Sequence, residues 1–223
     1  MSELADRVEQ VVSGIAEAAR SAGRDPEGIT LIAVTKFHPV SLIRELHELG
    51  IRDFGENRHQ EAREKAVELA DLAPAWHFVG QLQTKKARQA REYATAVHSV
   101  DRPELVDRLA SDGSPLDVFL QVNLTDDPSR GGVHPDEVER LAERAAAAEG
   151  LRLLGVMAVA PLDEEPRAAF VRLRASSDVV RSVLPSATAI SAGMSNDYRE
   201  AIAEGATHLR IGTAITGNRP PRV

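Results

Sequence analysis

The sequence predicts a (β/α)8 TIM barrel with an extra N-terminal helix, in a single domain over residues 1–223. After one leading helix, eight apolar runs each lead into a helical pattern. Such alternation demands parallel strands joined by right-handed crossovers. Several of the runs are almost continuously apolar, as strands covered on both faces are. A doubly wound open sheet is the competitor, and it would more often carry a glycine fingerprint after its first strand. Here that turn reads Val34-Thr35-Lys36-Phe37-His38, without glycine.

The elements follow in order. Leu4, Val8, Val11, Val12, Ile15 and Ala19 recur at helical spacing over residues 1–22, and the turn Asp25-Pro26-Glu27-Gly28 closes that helix. The first strand is Ile29–Thr35. Its helix starts near Pro39, buries Leu42, Ile43, Leu46 and Leu49, and stops at Gly50. The second unit is Ile51–Phe54 with a helix over Glu56–Leu72. The third is Trp76–Val79 with Thr84–Tyr93, and the fourth Thr95–Val100 with Pro103–Ala110. The fifth strand is Leu116–Leu124, and its helix runs from Pro135 to Glu149, with Gly150 just past its end. The sixth is Leu151–Val159 with a helix inside Glu164–Val183. The seventh is Ala187–Ser191 with Asn196–Glu204, capped by Ser195 or Asn196. The eighth is Thr207–Ile211 with a short terminal segment.

Composition removes whole classes of function. The chain has 223 residues, 43% of them hydrophobic, a net charge of −7 and no cysteine. A disulfide framework, a thiolate metal site and a thiol nucleophile are therefore excluded. The negative balance argues against a nucleic-acid partner. No apolar run approaches the roughly 18 residues of a membrane span. The histidines show no metal-ligand spacing, so no metal is expected. The opening MSELADRVEQ is acidic and amphipathic, unlike a signal peptide, and a cytoplasmic location is expected.

In a (β/α)8 barrel the working groups lie at the C-terminal strand ends. Four lysines stand against 23 arginines: Lys36, Lys65, Lys85 and Lys86. Three sit in charged helical surroundings and read as solvated. Lys36 ends a buried strand, where a partly desolvated ammonium favours the free, nucleophilic amine of a Schiff-base lysine. The plainer reading is an ion pair with a carboxylate such as Glu56. Strand seven runs into Ser191-Ala192-Gly193-Met194-Ser195-Asn196, and strand eight into Gly212-Thr213. Those two turns are where such barrels bind phosphate. Arg210 ends strand eight and is read either as a partner of phosphate or a ring nitrogen, or as half of an ion pair across the barrel top. A lysine facing a phosphate cradle suits pyridoxal 5′-phosphate, and it equally suits a lysine aldolase of sugar phosphates. The stretch Gln83–Arg91 is basic, and it reads as a solvated face or a docking helix. Glu56 and the 163–165 carboxylates read as surface or capping groups.

Taken together, several segments carry a specific resemblance. They are Ala33-Val34-Thr35-Lys36, Gly55-Glu56-Asn57 with Gln60-Glu61, Trp76-His77-Phe78-Val79-Gly80 with Leu82-Gln83, and Val122-Asn123. Further along come Gly155-Val156-Met157, Gly193-Met194-Ser195-Asn196-Asp197 and Arg210-Ile211-Gly212-Thr213-Ala214-Ile215-Thr216-Gly217. The chain resembles the YggS/PROSC family of pyridoxal phosphate homeostasis proteins. The resemblance implies the barrel of the alanine racemase N-terminal domain, standing alone. It implies a Schiff base of pyridoxal phosphate on Lys36. It puts the phosphate against Ser195, the Met194–Ser195 amides and the Gly212-Thr213 turn, with Arg210 at the pyridine nitrogen. Asn57 and His77 line the floor or rim. The sequence departs from the family's pattern at Phe37-His38-Pro39, at Lys85, and at Arg130 within the loop 126–132. Alanine racemase needs a second acid–base group, a tyrosine from a second domain, and this chain has only Tyr93 and Tyr198. The expected function is therefore a monomeric carrier or regulator of the cofactor that meets apo-enzymes transiently. A single-domain racemase is the alternative, and the lysine aldolase a second one.

Overall fold

A computed structural model describes residues 2–125, 127 and 130–218. The chain opens with helix α1 (Glu3–Ser21), whose first turn is capped by the Ser2 hydroxyl accepting from the Ala5 amide. The alternating units are β1 (Thr30–Val34) and α2 (Val40–Glu48), β2 (Asp53–Glu56) and α3 (His59–Glu68), then β3 (Ala75–Phe78) and α4 (Ala87–Arg91). They continue with β4 (Ala96–Val100) and α5 (Pro103–Leu109), β5 (Leu116–Gln121) and α6 (Val138–Ala147), and β6 (Leu151–Met157) and α7 (Pro166–Val183). The last are β7 (Ala189–Ser191) and α8 (Tyr198–Ala203), and β8 (His208–Ile211) and α9 (Thr213–Thr216). Each strand pairs in parallel with the next, and β8 closes on β1, with Ile32 opposite Arg210. The closed (β/α)8 barrel with its leading helix is the predicted fold.

Apolar side chains fill the space between barrel and helices. Ala33, Phe54, Trp76, Val97, Val118 and Leu209 point outward onto stripes such as Ile43 and Leu46 of α2 and Leu105 and Leu109 of α5. Successive strand side chains alternate between the two faces, so the intervening residues fill the barrel itself. That inner filling is unusually polar: His77, His98, Ser191 and Arg210 are all buried. Gly155 is demanded by backbone crowding, since a Cβ there would meet the Ala189 carbonyl oxygen at 1.8 Å.

Several boundaries differ from those the sequence suggests. The second strand runs Asp53–Glu56 rather than Ile51–Phe54, which puts Glu56 inside the sheet instead of opening a helix. The fifth and sixth strands stop at Gln121 and Met157, earlier than their apolar runs do. Val122 instead bridges Val133 across the following loop. Apolar content marks burial, and burial continues past the last ladder bond. The stretch 84–93 is one 3-10 turn (Thr84–Lys86) leading into the short α4.

Candidate functional site

Lys36 lies two residues past β1, and both of its neighbours are anchored. The Thr35 carbonyl accepts from the Lys65 ammonium at 2.9 Å, and the Thr35 hydroxyl donates to Glu56 Oε1 at 2.7 Å. The Phe37 amide donates to Glu61 Oε1 at 2.6 Å. Phe37 itself holds φ of +68°, a left-handed conformation that a bulky residue rarely adopts, under the Arg58 guanidinium 4.7 Å from its ring centre. Lys65 ties these contacts together, reaching Glu56 and Glu61 at 2.7 Å each.

This corrects two expectations. Lys65 is 6% exposed and Glu56 1%, so neither is a solvated surface group. Their positions follow from the shifted strand: Glu56, one residue past the inward Gly55, faces out of the barrel onto α3, where Lys65 sits. Burial raises the Glu56 carboxyl above its ordinary range, against the opposing pull of Lys65. Glu56 Oε2 has no hydrogen-bond partner among the described residues.

The turns after β7 and β8 meet. Ser195 does not cap α8, whose N-cap position is Asp197. Its hydroxyl instead accepts from the Ala214 amide at 3.2 Å and lies 3.5 Å from the Thr213 hydroxyl. A methyl group at Gly212 would lie 3.8 Å from Val34 Cβ, so this turn packs on β1 two residues before Lys36. Gly193 carries φ of +92°, and a Cβ there would press on Ala201 at 2.8 Å. The Met194 amide, expected in the cradle, already donates to Asp197 Oδ1 at 2.5 Å. A neighbouring carboxylate thus claims that donor.

Asn57 follows β2 and is pressed against the next strand's exit loop. A Cβ on Gly80 would fall 2.2 Å from the Asn57 carbonyl oxygen, so only glycine fits there. The Asn57 Oδ1 atom is buried without a partner among the described residues.

Arg210 points into the barrel. Its guanidinium donates to the Ser191 hydroxyl at 2.7 Å and to the Ala158 carbonyl at 2.8 Å, two neutral acceptors. Burial pushes it down to about 10, partly offset by Asp197. It therefore keeps its proton at neutral pH. His77 is buried, with Nε2 on Asp53 and Nδ1 on His98, at 2.9 Å each. Both ring nitrogens are spent on partners inside the barrel.

The remaining candidates lie elsewhere. Tyr93 packs on His59, and burial raises its hydroxyl above the ordinary phenol range. Tyr198 lies against Gly14 of α1. Arg91, counted in the basic stretch, donates to the Leu109, Ser114 and Gly150 carbonyls and is structural. Of the loop 126–132, residues Asp126, Pro128 and Ser129 lie outside the described residues. Two groupings escape sequence reasoning: the Lys65 cluster, and the chain from Asp53 through both histidines to Arg210. The available signal was alternation: Asp53 and Gly55, like His77, occupy inward strand positions.

Comparison with known proteins agrees with this geometry. Residues 14–220 match the family described as alanine racemase, N-terminal domain. The pyridoxal phosphate homeostasis protein of Pseudomonas aeruginosa is 43% identical, over 98% of this chain and 97% of its own length. That of Escherichia coli (strain K12) is 38% identical over 98% of both chains. The solved structure of PipY from Synechococcus elongatus PCC7942, with PLP bound, is 36% identical with a TM-score of 0.83, covering 96% of this chain and all of PipY. With the barrel, the strand-end lysine and the paired turns in place, the chain belongs to the YggS/PROSC family of pyridoxal phosphate homeostasis proteins.

Proposed function

We propose that this chain binds pyridoxal 5′-phosphate through a Schiff base on Lys36 and serves homeostasis of that cofactor as a carrier, without catalysis. One observation carries the reading: the turns after β7 and β8 are joined by the Ser195–Ala214 contact, and Gly212 packs against β1 beside Lys36. The names of the relatives, and the PLP held by PipY, support it.

The residues present fit the group. The Ser195 hydroxyl with Gly212 and Thr213 offers a phosphate cradle that glycine lets a ligand approach closely. Asn57 brings a buried, unpartnered oxygen, and His77 closes the floor. Arg210 uses two of its five N–H donors on protein atoms among the described residues and keeps the rest for a ring nitrogen.

Bound pyridoxal phosphate supplies an aldehyde that condenses reversibly with an amine. Arg210 holds its own proton, so it gives none to the ring nitrogen and leaves the ring a weak electron sink. Racemisation also needs a second acid–base group opposite Lys36. Tyr93 and Tyr198 are both committed elsewhere. What the residues do well is hold and release. Exchange of Lys36 for another amine hands the cofactor to apo-enzymes that this chain meets transiently, as a monomer in the cytoplasm.

The test is spectroscopic. Lys36→Ala should lose the visible absorbance band of the protein mixed with pyridoxal phosphate. Borohydride should fix the cofactor on Lys36 in the unaltered chain, as read by peptide mass. A band that survives in the variant overturns the assignment.

A further inference from the structure

Five side chains cross the inside of the barrel in one unbroken series. Asp53 on β2 meets His77 Nε2 at 2.9 Å, and His77 Nδ1 meets His98 Nε2 at 2.9 Å. His98 Nδ1 meets the Ser191 hydroxyl at 2.8 Å, and that hydroxyl meets Arg210 at 2.7 Å. The series joins strands β2, β3, β4, β7 and β8. It starts at a carboxylate whose side chain is 30% exposed and ends at a buried guanidinium.

The ends set the direction of every bond between them. An ionised carboxylate only accepts, so His77 carries its proton on Nε2. Arg210 at the other end can only donate, so the Ser191 hydroxyl accepts from it and gives its own proton to His98 Nδ1. His98 then carries its proton on Nε2 and donates it to His77 Nδ1. All four bonds point from Arg210 toward Asp53. Burial, with Arg210 nearby, keeps His98 well below the ordinary imidazole range, in keeping with this arrangement. The Phe119 ring, stacked on His98 at 4.3 Å between centres, fixes the imidazole plane.

We propose that Asp53, His77, His98 and Ser191 are positioning residues that orient Arg210 and carry the influence of the Asp53 charge to it. The chain is polarised from end to end, and bonds aligned this way strengthen one another. A change at the partly exposed end is then felt at the cofactor's ring nitrogen without touching the mouth. This proposal rests on the pyridoxal phosphate reading of Arg210.

The experiment has a ligand-free arm and a loaded arm. In the ligand-free chain, nitrogen-resolved NMR of labelled histidines should find His98 neutral, with its proton on Nε2. A proton on His98 Nδ1, or a charged His98 at pH 7, overturns the relay. In the loaded arm, Asp53→Asn keeps an acceptor and removes the charge. It should shift the absorbance maximum of bound pyridoxal phosphate and weaken binding about tenfold, on the scale of one charge-assisted hydrogen bond. Asp71→Asn, which breaks an outer pair with Arg44, should do neither. If Asp53→Asn does not fold, Ser191→Ala cuts the series beside Arg210 and should give the same shift. A folded variant with unaltered spectrum and affinity overturns the relay alone. Failure of the unaltered chain to take up pyridoxal phosphate overturns the cofactor reading, and the relay with it.

Discussion

Strand β2 supplies one carboxylate to each of two buried polar assemblies, and the two solve burial differently. Asp53 faces into the barrel and heads a series of neutral groups ending at Arg210. Glu56, three residues on, faces outward and meets a full charge on Lys65. Outside the wall, ions are paired at close range and one carboxylate oxygen is still left over. Inside, charge is kept to the two ends and imidazoles bridge the distance. The outer cluster fixes the backbone beside Lys36, which needs strength at one place. The inner series links distant strands, which needs reach.

The comparison predicts that the outer cluster is the more sensitive to losing one member. Lys65→Met leaves Glu56 and Glu61 facing each other without a cation. It should cost about 3–5 kcal/mol, the usual effect of breaking a buried pair, read as a lower urea midpoint. Lys65→Met with Glu56→Leu should recover much of that loss, because no lone charge stays buried. A single variant as stable as the parent would erase the distinction.

Acid should separate the two assemblies next. Burial, with the repulsion of Arg210, depresses His208 in the barrel from 6.5 to about 4, although Asp53 and Asp117 pull the other way. The unfolded chain takes that proton near pH 6.5 and the folded chain only near 4. The stabilisation is therefore complete above pH 6.5 and is lost as pH falls toward 4, a change of roughly 3 kcal/mol. His98 is depressed in the same sense and adds to the loss. Glu56 works in the opposite sense, since its raised carboxyl takes a proton readily and is relieved of burial. Urea midpoints measured from pH 7 to pH 4 should fall, and His208→Asn should flatten the curve.

The smallest effect is expected at a pair with an exposed cation. The Arg152–Asp117 pair is well formed, at 2.7 Å in its second bond, but Arg152 is two-thirds exposed. Arg152→Ala should cost less than about 1 kcal/mol. A larger loss would show that ion-pair geometry, rather than burial, sets the ranking.

The barrel was legible because strand–helix alternation is a long-range pattern that local errors do not spoil. Lys36, Ser195, Gly212 and Arg210 were legible because topology sends strand ends to one mouth. Glu56 and Lys65 read as surface groups in the sequence because β2 ends two residues later than its apolar run, which places Glu56 in the sheet under α3 instead of at the start of a helix. That the Met194 amide donates to Asp197, three residues on, could not be foreseen from turn glycines. The inner series was invisible because His98 and Ser191 lie 93 residues apart and touch only across the closed barrel.

The leading helix bears on when the site can exist. Arg7 of α1 donates to the Ile215 carbonyl, 208 residues away, at 2.8 Å. Arg24, just past α1, holds the Ile202 and Ala206 carbonyls. Helix α1 is thus the clamp for a turn 208 residues further along the chain. Contacts of such span form late, because the chain must lose its freedom before they return anything. The turn after β8 is therefore braced only once α1 has closed on it, and until then the mouth of the barrel lacks one of its walls.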